Sequence, residues 1–152
     1  MMLDLNVRRA TDGDAEAVSR VIVVALRQTN ARDYTPEIIA RVEQNFSPSA
    51  MLRFFKQRHV LVAAVSDRIV GTASLDGATV RSVFVHPQLQ GIGVGRRLMA
   101  AIEDAARMSG TTMLTVPSSV TAEPFYSRLG FRAVRDSYYG DERTIIMERH
   151  LG

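Results

Sequence analysis

Apolar residues change their spacing several times along this chain, and each change predicts a different element. The opening segment LNVRRA alternates apolar and polar residues, which predicts a short strand. From Ala15 the spacing becomes helical. In AEAVSRVIVVALRQ the residues Ala17, Val18, Val21, Ile22, Ala25 and Leu26 share one face, and Thr11 or Asp12 can cap the N-terminus. Two more helices follow a threonine or serine cap and a proline. YTPEIIARVEQNF has Thr35 at the cap, Pro36 at the first helical position and Glu37 in the first turn, and SPSAMLRFFKQ repeats the signal with Ser47 and Pro48, placing Leu52 and Phe55 inward.

At His59 the period drops to two. HVLVAAVSD, RIVGTASLDG and ATVRSVFVH read as three strands joined by tight turns at Asp67–Arg68 and Asp76–Gly77, so an antiparallel meander is expected. A helix from about Leu89 to Met108 comes next, with Leu98, Met99, Ile102 and Ala105 facing inward and Glu103 four residues before Arg107. TTMLTV is a strand, EPFYSRLG a short helix stopped by Gly130, and FRAVRDSYY with TIIMERHL a closing hairpin. The expected fold class is α/β, in the sense of an α+β mixed sheet. It is mainly antiparallel, has a central parallel β–α–β crossover and flanking helices, and spans residues 1–152 as a single domain.

Composition narrows the chemistry more than the fold. A 46% hydrophobic share in 152 residues supports a real core and argues against disorder. The absence of cysteine removes disulfides, thiolate metal sites and a cysteine nucleophile together. His59, His86 and His150 lack ligand spacing, so no metal site is expected. The N-terminus has no signal-like apolar region and no apolar run is long enough to span a bilayer, so the expectation is a cytoplasmic protein with no membrane partner. The net charge of +3 comes from scattered arginines, which suits a small anionic ligand and does not favour nucleic acid.

One stretch carries most of the functional signal. In SVFVHPQLQGIGVGRRL, Gly91, Gly93 and Gly95 stand at alternate positions where a strand gives way to a helix. A helix N-terminus presents unpaired amides and the positive end of its dipole, and glycines there let a ligand approach the backbone closely. The pattern predicts an anion cradle for a phosphate or pyrophosphate. Arg96 and Arg97 in the first helical turn oppose the dipole unless an anion binds, although two solvated arginines beside a loop are an ordinary alternative. A Walker loop is ruled out because no Gly-Lys-Ser/Thr ends the motif. The dinucleotide fingerprint fails too, since the spacing is G-x-G-x-G and no carboxylate lies at Gly110–Thr115.

QGIGVG, from Gln90 to Gly95, resembles the Gln/Arg-x-x-Gly-x-Gly/Ala signature of the GNAT superfamily of N-acetyltransferases. SVTAEPFYSRLGFRAV is similar to a second segment of that family at Ala122, Phe125, Tyr126, Gly130 and Phe131. The likeness extends from about Val60 to Val134; residues 1–58 carry nothing diagnostic. It implies a GNAT-like fold with acetyl-CoA as cosubstrate, its pyrophosphate held by Gln90, Gly91, Ile92, Gly93, Val94, Gly95 and Arg96. The pantetheine arm would lie along the backbone of Phe84 and Val85 and touch Ser119, with Tyr126 as general acid toward the departing thiolate. The acceptor, a small-molecule or peptide amine, would sit between Tyr34–Arg58 and Asp136–Arg143. A homodimer through the last strands is compatible with the likeness.

The chain departs from the family at one place. TVRSVFVH has no carboxylate to serve as general base. Asp76, Asp136 and Glu142 are the substitutes to consider, acting through water, while His86 before Pro87 reads as a turn residue. Two readings follow: an N-acetyltransferase working by direct attack, or a non-catalytic module that binds acyl-CoA as a sensor or scaffold.

Overall fold

The structure, a computed structural model, describes residues 4–152. Strands β1 (Leu5–Arg9), β2 (His59–Val65), β3 (Arg68–Asp76) and β4 (Thr79–Val85) pair antiparallel in that order and form one side of a seven-stranded sheet. Strands β5 (Met113–Ser119), β6 (Arg132–Tyr139) and β7 (Glu142–His150) complete it in the order β1-β2-β3-β4-β5-β7-β6. β4 and β5 are the parallel pair, and helix α4 (Val94–Met108) makes the crossover between them.

The helices divide between the two faces of the sheet. Leu98, Met99, Ile102 and Ala106 of α4 pack on Leu61, Ala63, Val80 and Leu114. On the opposite face, α1 (Ala15–Gln28) and α3 (Pro48–Gln57) bury Val18, Ile22, Leu26, Ala50 and Met51 against Val62. Leu61 and Ala63 therefore face one helix layer and Val62 the other, which explains why VLVAAV, residues 60–65, is apolar without interruption. Each fully buried Leu, Ile or Val contributes roughly 1.5–3 kcal/mol. The short helix α2 (Pro36–Glu43) begins as its sequence predicts, with the Thr35 hydroxyl accepting from the Ile38 amide at 3.2 Å.

The mixed sheet, the meander and the crossover match the expectation, with three local differences. The helix expected from Leu89 begins at Val94, after a single 3-10 turn at Pro87–Leu89. Gly91 and Gly93, at φ of +81° and +93°, hold the intervening backbone in the left-handed region, where a helix cannot form. In α3, Ala50 and Met51 point inward while Leu52 is 38% exposed, and Phe54 and Phe55 pack only partly against that core. Before α1, Thr11 caps a 3-10 turn at Asp12–Asp14 rather than the helix itself, and the Asp14 carboxylate accepts from the Thr11 amide at 2.8 Å. Arg8 clamps the same carboxylate with hydrogen bonds of 2.8 and 3.0 Å.

Candidate functional site

β4 and β5 touch at one end and separate at the other. Their pairing comprises Thr79 opposite Thr115, supported by the Thr115 amide donating to the Ala78 carbonyl at 3.0 Å. Beyond that point β4 bulges. Its register against β3 shifts between Ser74↔Arg81 and Thr72↔Phe84, and Ser82 adopts a φ of +55°. The strands splay around a cavity of about 980 Å³, lined by residues 81–85 of β4 and 116–119 of β5. The glycine turn, helix α5 (Glu123–Arg128) and the segment from the end of α1 to α3 close the remaining walls.

The glycines do different jobs. A side chain built on Gly91 or Gly93 would meet nothing within 4 Å, so the turn presents bare backbone to open space. A Cβ on Gly95 would come within 3.1 Å of the Phe125 ring, so this glycine lets α4 pack against α5. Open space thus lies over Gly91 and Gly93, while Gly95 meets a packed ring. No main-chain amide from Gly91 to Arg96 donates to a main-chain acceptor among the described residues; the first to do so is Arg97, to the Gly93 carbonyl at 3.0 Å. These free amides, at the positive end of the α4 dipole and on the cavity wall, suit a bound diphosphate.

Phe84, Val85, Gln90, Val94, Arg96, Ser119 and Tyr126 also line the cavity. Ile92 does not; its side chain is 52% exposed, leaving only its amide for a ligand. The two arginines part company. Arg96 faces the cavity, whereas Arg97 donates to the Leu5 carbonyl at 3.2 Å and fastens α4 to the edge strand. Gln90 ties the turn down from within, its amide nitrogen lying 3.2 Å from the Thr29 hydroxyl and 3.4 Å from the Val85 carbonyl. Ser119 accepts from the Ala122 amide at 3.1 Å, which caps the turn into α5.

Tyr126 is buried, and its neighbour Phe125 packs only partly against the core. Its ring stands edge-on between Phe125 and Phe131, at centroid distances of 5.1 and 5.5 Å. Burial pushes the phenol well above its ordinary pKa, so the group is a proton donor over the whole physiological range. Its oxygen is not among the sealed polar atoms, and no hydrogen bond within the described protein holds it.

Tyr34 is the residue whose importance the sequence conceals. Its hydroxyl donates to the Arg143 carbonyl at 2.6 Å and accepts from the Val120 amide at 2.8 Å. It thereby links the end of α1, the β5–α5 connection and β7 across the splay, and the Asp33–Thr121 hydrogen bond of 2.8 Å lies alongside. Of the candidate carboxylates, Asp76 pairs with Arg81 at 3.3 Å and Asp136 with Arg143 at 3.2 Å, both off the cavity wall. Glu142 is the carboxylate on the wall, 3.6 Å from Arg41. His86 accepts from the Gln88 amide at 3.2 Å, as a turn residue should.

The profile of the acetyltransferase (GNAT) domain family matches residues 30–147. The chain belongs to the GNAT acetyltransferases. It is 26% identical over 134 residues to the uncharacterized N-acetyltransferase YafP of Escherichia coli, covering 88% of this chain and 85% of that protein. A glucosamine 6-phosphate N-acetyltransferase of Trypanosoma brucei brucei is 36% identical over 77 residues, or 43% of this chain and 52% of that one. Among solved structures, a GCN5-related N-acetyltransferase from Rhodopseudomonas palustris superposes with a TM-score of 0.91 at 25% identity, covering 99% of this chain and 98% of that one. The PaiA N-acetyltransferase of Thermoplasma acidophilum, solved with coenzyme A, shares the fold at a TM-score of 0.84 and 17% identity, covering 97% and 99%. This GNAT protein is accordingly an acetyl-CoA-dependent acetyltransferase, and the bare turn at Gly91 and Gly93 fits that cosubstrate. No helix among the described residues is long and apolar enough to cross a membrane, and no group of three or more His, Asp or Glu residues could hold a metal there.

Proposed function

We propose that this acetyltransferase, acting as one domain, moves the acetyl group of acetyl-CoA to a primary amine by direct attack. The observation that carries the reading is Tyr126, a buried phenol with an uncommitted hydroxyl on the wall shared with the glycine turn. The amides of residues 91–96 and Arg96 would take the diphosphate. The exposed backbone of Phe84 and Val85 would lie along the pantetheine arm, with Ser119 beside it.

A covalent acetyl-enzyme finds no support in the chain. It has no cysteine, the Ser118 hydroxyl donates to the Ser119 carbonyl at 2.7 Å, and the Ser119 hydroxyl accepts from the Ala122 amide. In direct attack the amine nitrogen forms a bond to the acetyl carbon as the carbon–sulfur bond breaks, and the electron pair leaves on sulfur. The proton the nitrogen sheds in becoming an amide passes through water to the thiolate. A lysine-like amine must first lose a proton, which requires roughly 4–5 kcal/mol at neutral pH. Glu142, the carboxylate on the cavity wall, would receive it through water. Because burial raises the phenol further above an ordinary thiol, Tyr126 would stabilise the departing thiolate by hydrogen-bond donation while keeping its own proton.

Initial rates with acetyl-CoA and amine both varied should give intersecting lines; parallel lines would mean an acetyl-enzyme. Tyr126→Phe should lower kcat by about a hundredfold and leave acetyl-CoA affinity unchanged by calorimetry. An unchanged kcat removes Tyr126 from the chemistry.

A further inference from the structure

Six arginines line the cavity, Arg32, Arg53, Arg58, Arg81, Arg96 and Arg128, more positive charge than a diphosphate at the glycine turn requires. Arg81 stands at the base of the splay, four residues before Val85, which in an extended strand is roughly 13 Å from the glycine-turn end. Arg58, just after α3, shares the Asp76 carboxylate with Arg81, and Arg53, within the helix, lines the same cavity. Glu142, across the splay, is the single carboxylate on the whole wall.

The three arginines are not neutralised where they stand. Asp76 serves two of them, at 3.3 Å from Arg81 Nε and 4.0 Å from Arg58 Nε, so one carboxylate faces two guanidinium groups. The Arg81 contact has no hydrogen-bond geometry, and Arg81 Nε is sealed from solvent without a partner. Arg53 has no ion-pair partner among the described residues. Arg58 is held in place, its guanidinium carbon 3.9 Å from the centroid of the Phe54 ring and its side chain only 15% exposed. Burial chiefly, and the Arg81 charge after it, pull its pKa down, partly opposed by Asp76. A stacked guanidinium presents a fixed fork of donors to a planar or tetrahedral anion.

We infer that the acetyl acceptor is an amine that also carries an anionic group, a carboxylate or a phosphate, which docks on Arg53, Arg58 and Arg81. The inference rests on the acetyl-transfer reading above and adds the substrate class to it. The same arginines disfavour polyamines and other polycations, which would add positive charge to a field that already lacks counter-ions.

Matched acceptor pairs that differ only in the anion test this on the wild-type protein: L-amino acids against their primary amides, and amino-sugar phosphates against the free amino sugars, with spermidine as the polycation. Release of free thiol is expected to favour the anionic member of a pair by about ten- to a hundredfold in kcat/KM. Preference within the first set or the second identifies carboxylate or phosphate as the docked group. Arg58→Gln and Arg81→Gln should each raise KM for the preferred acceptor by about tenfold and leave acetyl-CoA affinity unchanged. Binding supplies an independent arm. Inorganic phosphate and each panel compound are titrated by calorimetry into protein saturated with coenzyme A, whose own phosphates already fill the glycine-turn end. Equal binding of acidic and neutral partners, or a preference for spermidine, overturns the inference whether or not turnover is seen. Failure of the protein to bind acetyl-CoA overturns the earlier reading instead.

Discussion

The β2–β3 seam and the β4–β5 seam belong to one sheet and behave as opposites. β2 and β3 are registered from His59↔Leu75 to Val65↔Arg68, with a single irregularity at Ala63/Ala64. β4 and β5 are registered at Thr79↔Thr115 and then part around a cavity of about 980 Å³. Nearly every backbone group on the first seam is satisfied by a neighbouring strand, which is what a stable sheet requires. On the second, Phe84 and Val85 stay paired with β3 on one side, and the side that would meet β5 borders the cavity. Stability and function are thus separated by a few strand positions, and the Ser82 bulge is where one gives way to the other.

Substitution can break that division at the glycine turn first. Gly93→Val places a branched side chain at a φ of +93° in otherwise open space, so acetyl-CoA affinity should fall by about a hundredfold in calorimetry. The left-handed backbone should cost about 1–3 kcal/mol of stability, but the new Cβ meets no neighbour within 4 Å, so the protein should still fold. Gly95→Ala is the counter-experiment. Its Cβ presses on the Phe125 ring at 3.1 Å, so thermal unfolding should show a loss of about 1–3 kcal/mol and calorimetry a much smaller loss of affinity than at Gly93. Equal effects on affinity would show that all three glycines serve the ligand after all.

Tyr34→Phe tests what holds the open seam in shape. Removing the hydroxyl strands the Val120 amide and the Arg143 carbonyl, and the half-buried site should cost about 1–2 kcal/mol in denaturant unfolding. No measurable loss would show that the three segments hold together without it. The smallest effect lies at the far edge of the closed side. Hydrogen bonds from Arg8, partly opposed by burial, hold the Asp14 carboxyl at about 2 against an ordinary value of 3.8. A lowered folded value favours the native state fully above the unfolded pKa, and the benefit fades as pH falls through the folded one. Asp14→Asn should therefore lose about 1 kcal/mol at neutral pH, less than the shift alone implies because Arg8 is 42% exposed. The gap to wild type should close between about pH 4 and pH 2, with acetyl transfer unchanged at pH 7. A gap that persists to pH 2 would mean the pair is not its source.

What the sequence disclosed follows the range of the interactions involved. Thr35 with Pro36 and Ser47 with Pro48 act within a single turn, and both helices start where those residues place them. The alternation of the meander is equally local, and its strands pair in the expected order. The start of α4 was misplaced because the apolar run through Leu89 and Ile92 carries helical spacing, while the left-handed glycines decide the backbone. The exposure of Leu52 depends on which sheet face α3 meets, which helical spacing alone does not encode. Within the site, the motif from Gln90 to Arg96 was legible because it is contiguous. Tyr34 was not, since its partners lie 86 and 109 residues away. Nor did the arginines reveal their roles, because the different fates of Arg96 and Arg97 depend on β1, which packs beside one of them. The approach of Glu142 to the cavity likewise depends on how β7 pairs with β5.

The strap made by one phenol has a consequence for how the molecule responds to its own substrate. The N-terminal and C-terminal sets of strands meet edge to edge at Thr79 and Thr115, with Tyr34 holding the far side. A thioester nucleotide lodged in the gap would act as mortar between two half-sheets, and its binding energy would add to native stability as its concentration rises above the dissociation constant. Resistance to heat and to proteolysis would then track the supply of acetyl donor, so that the loaded protein outlasts the empty one.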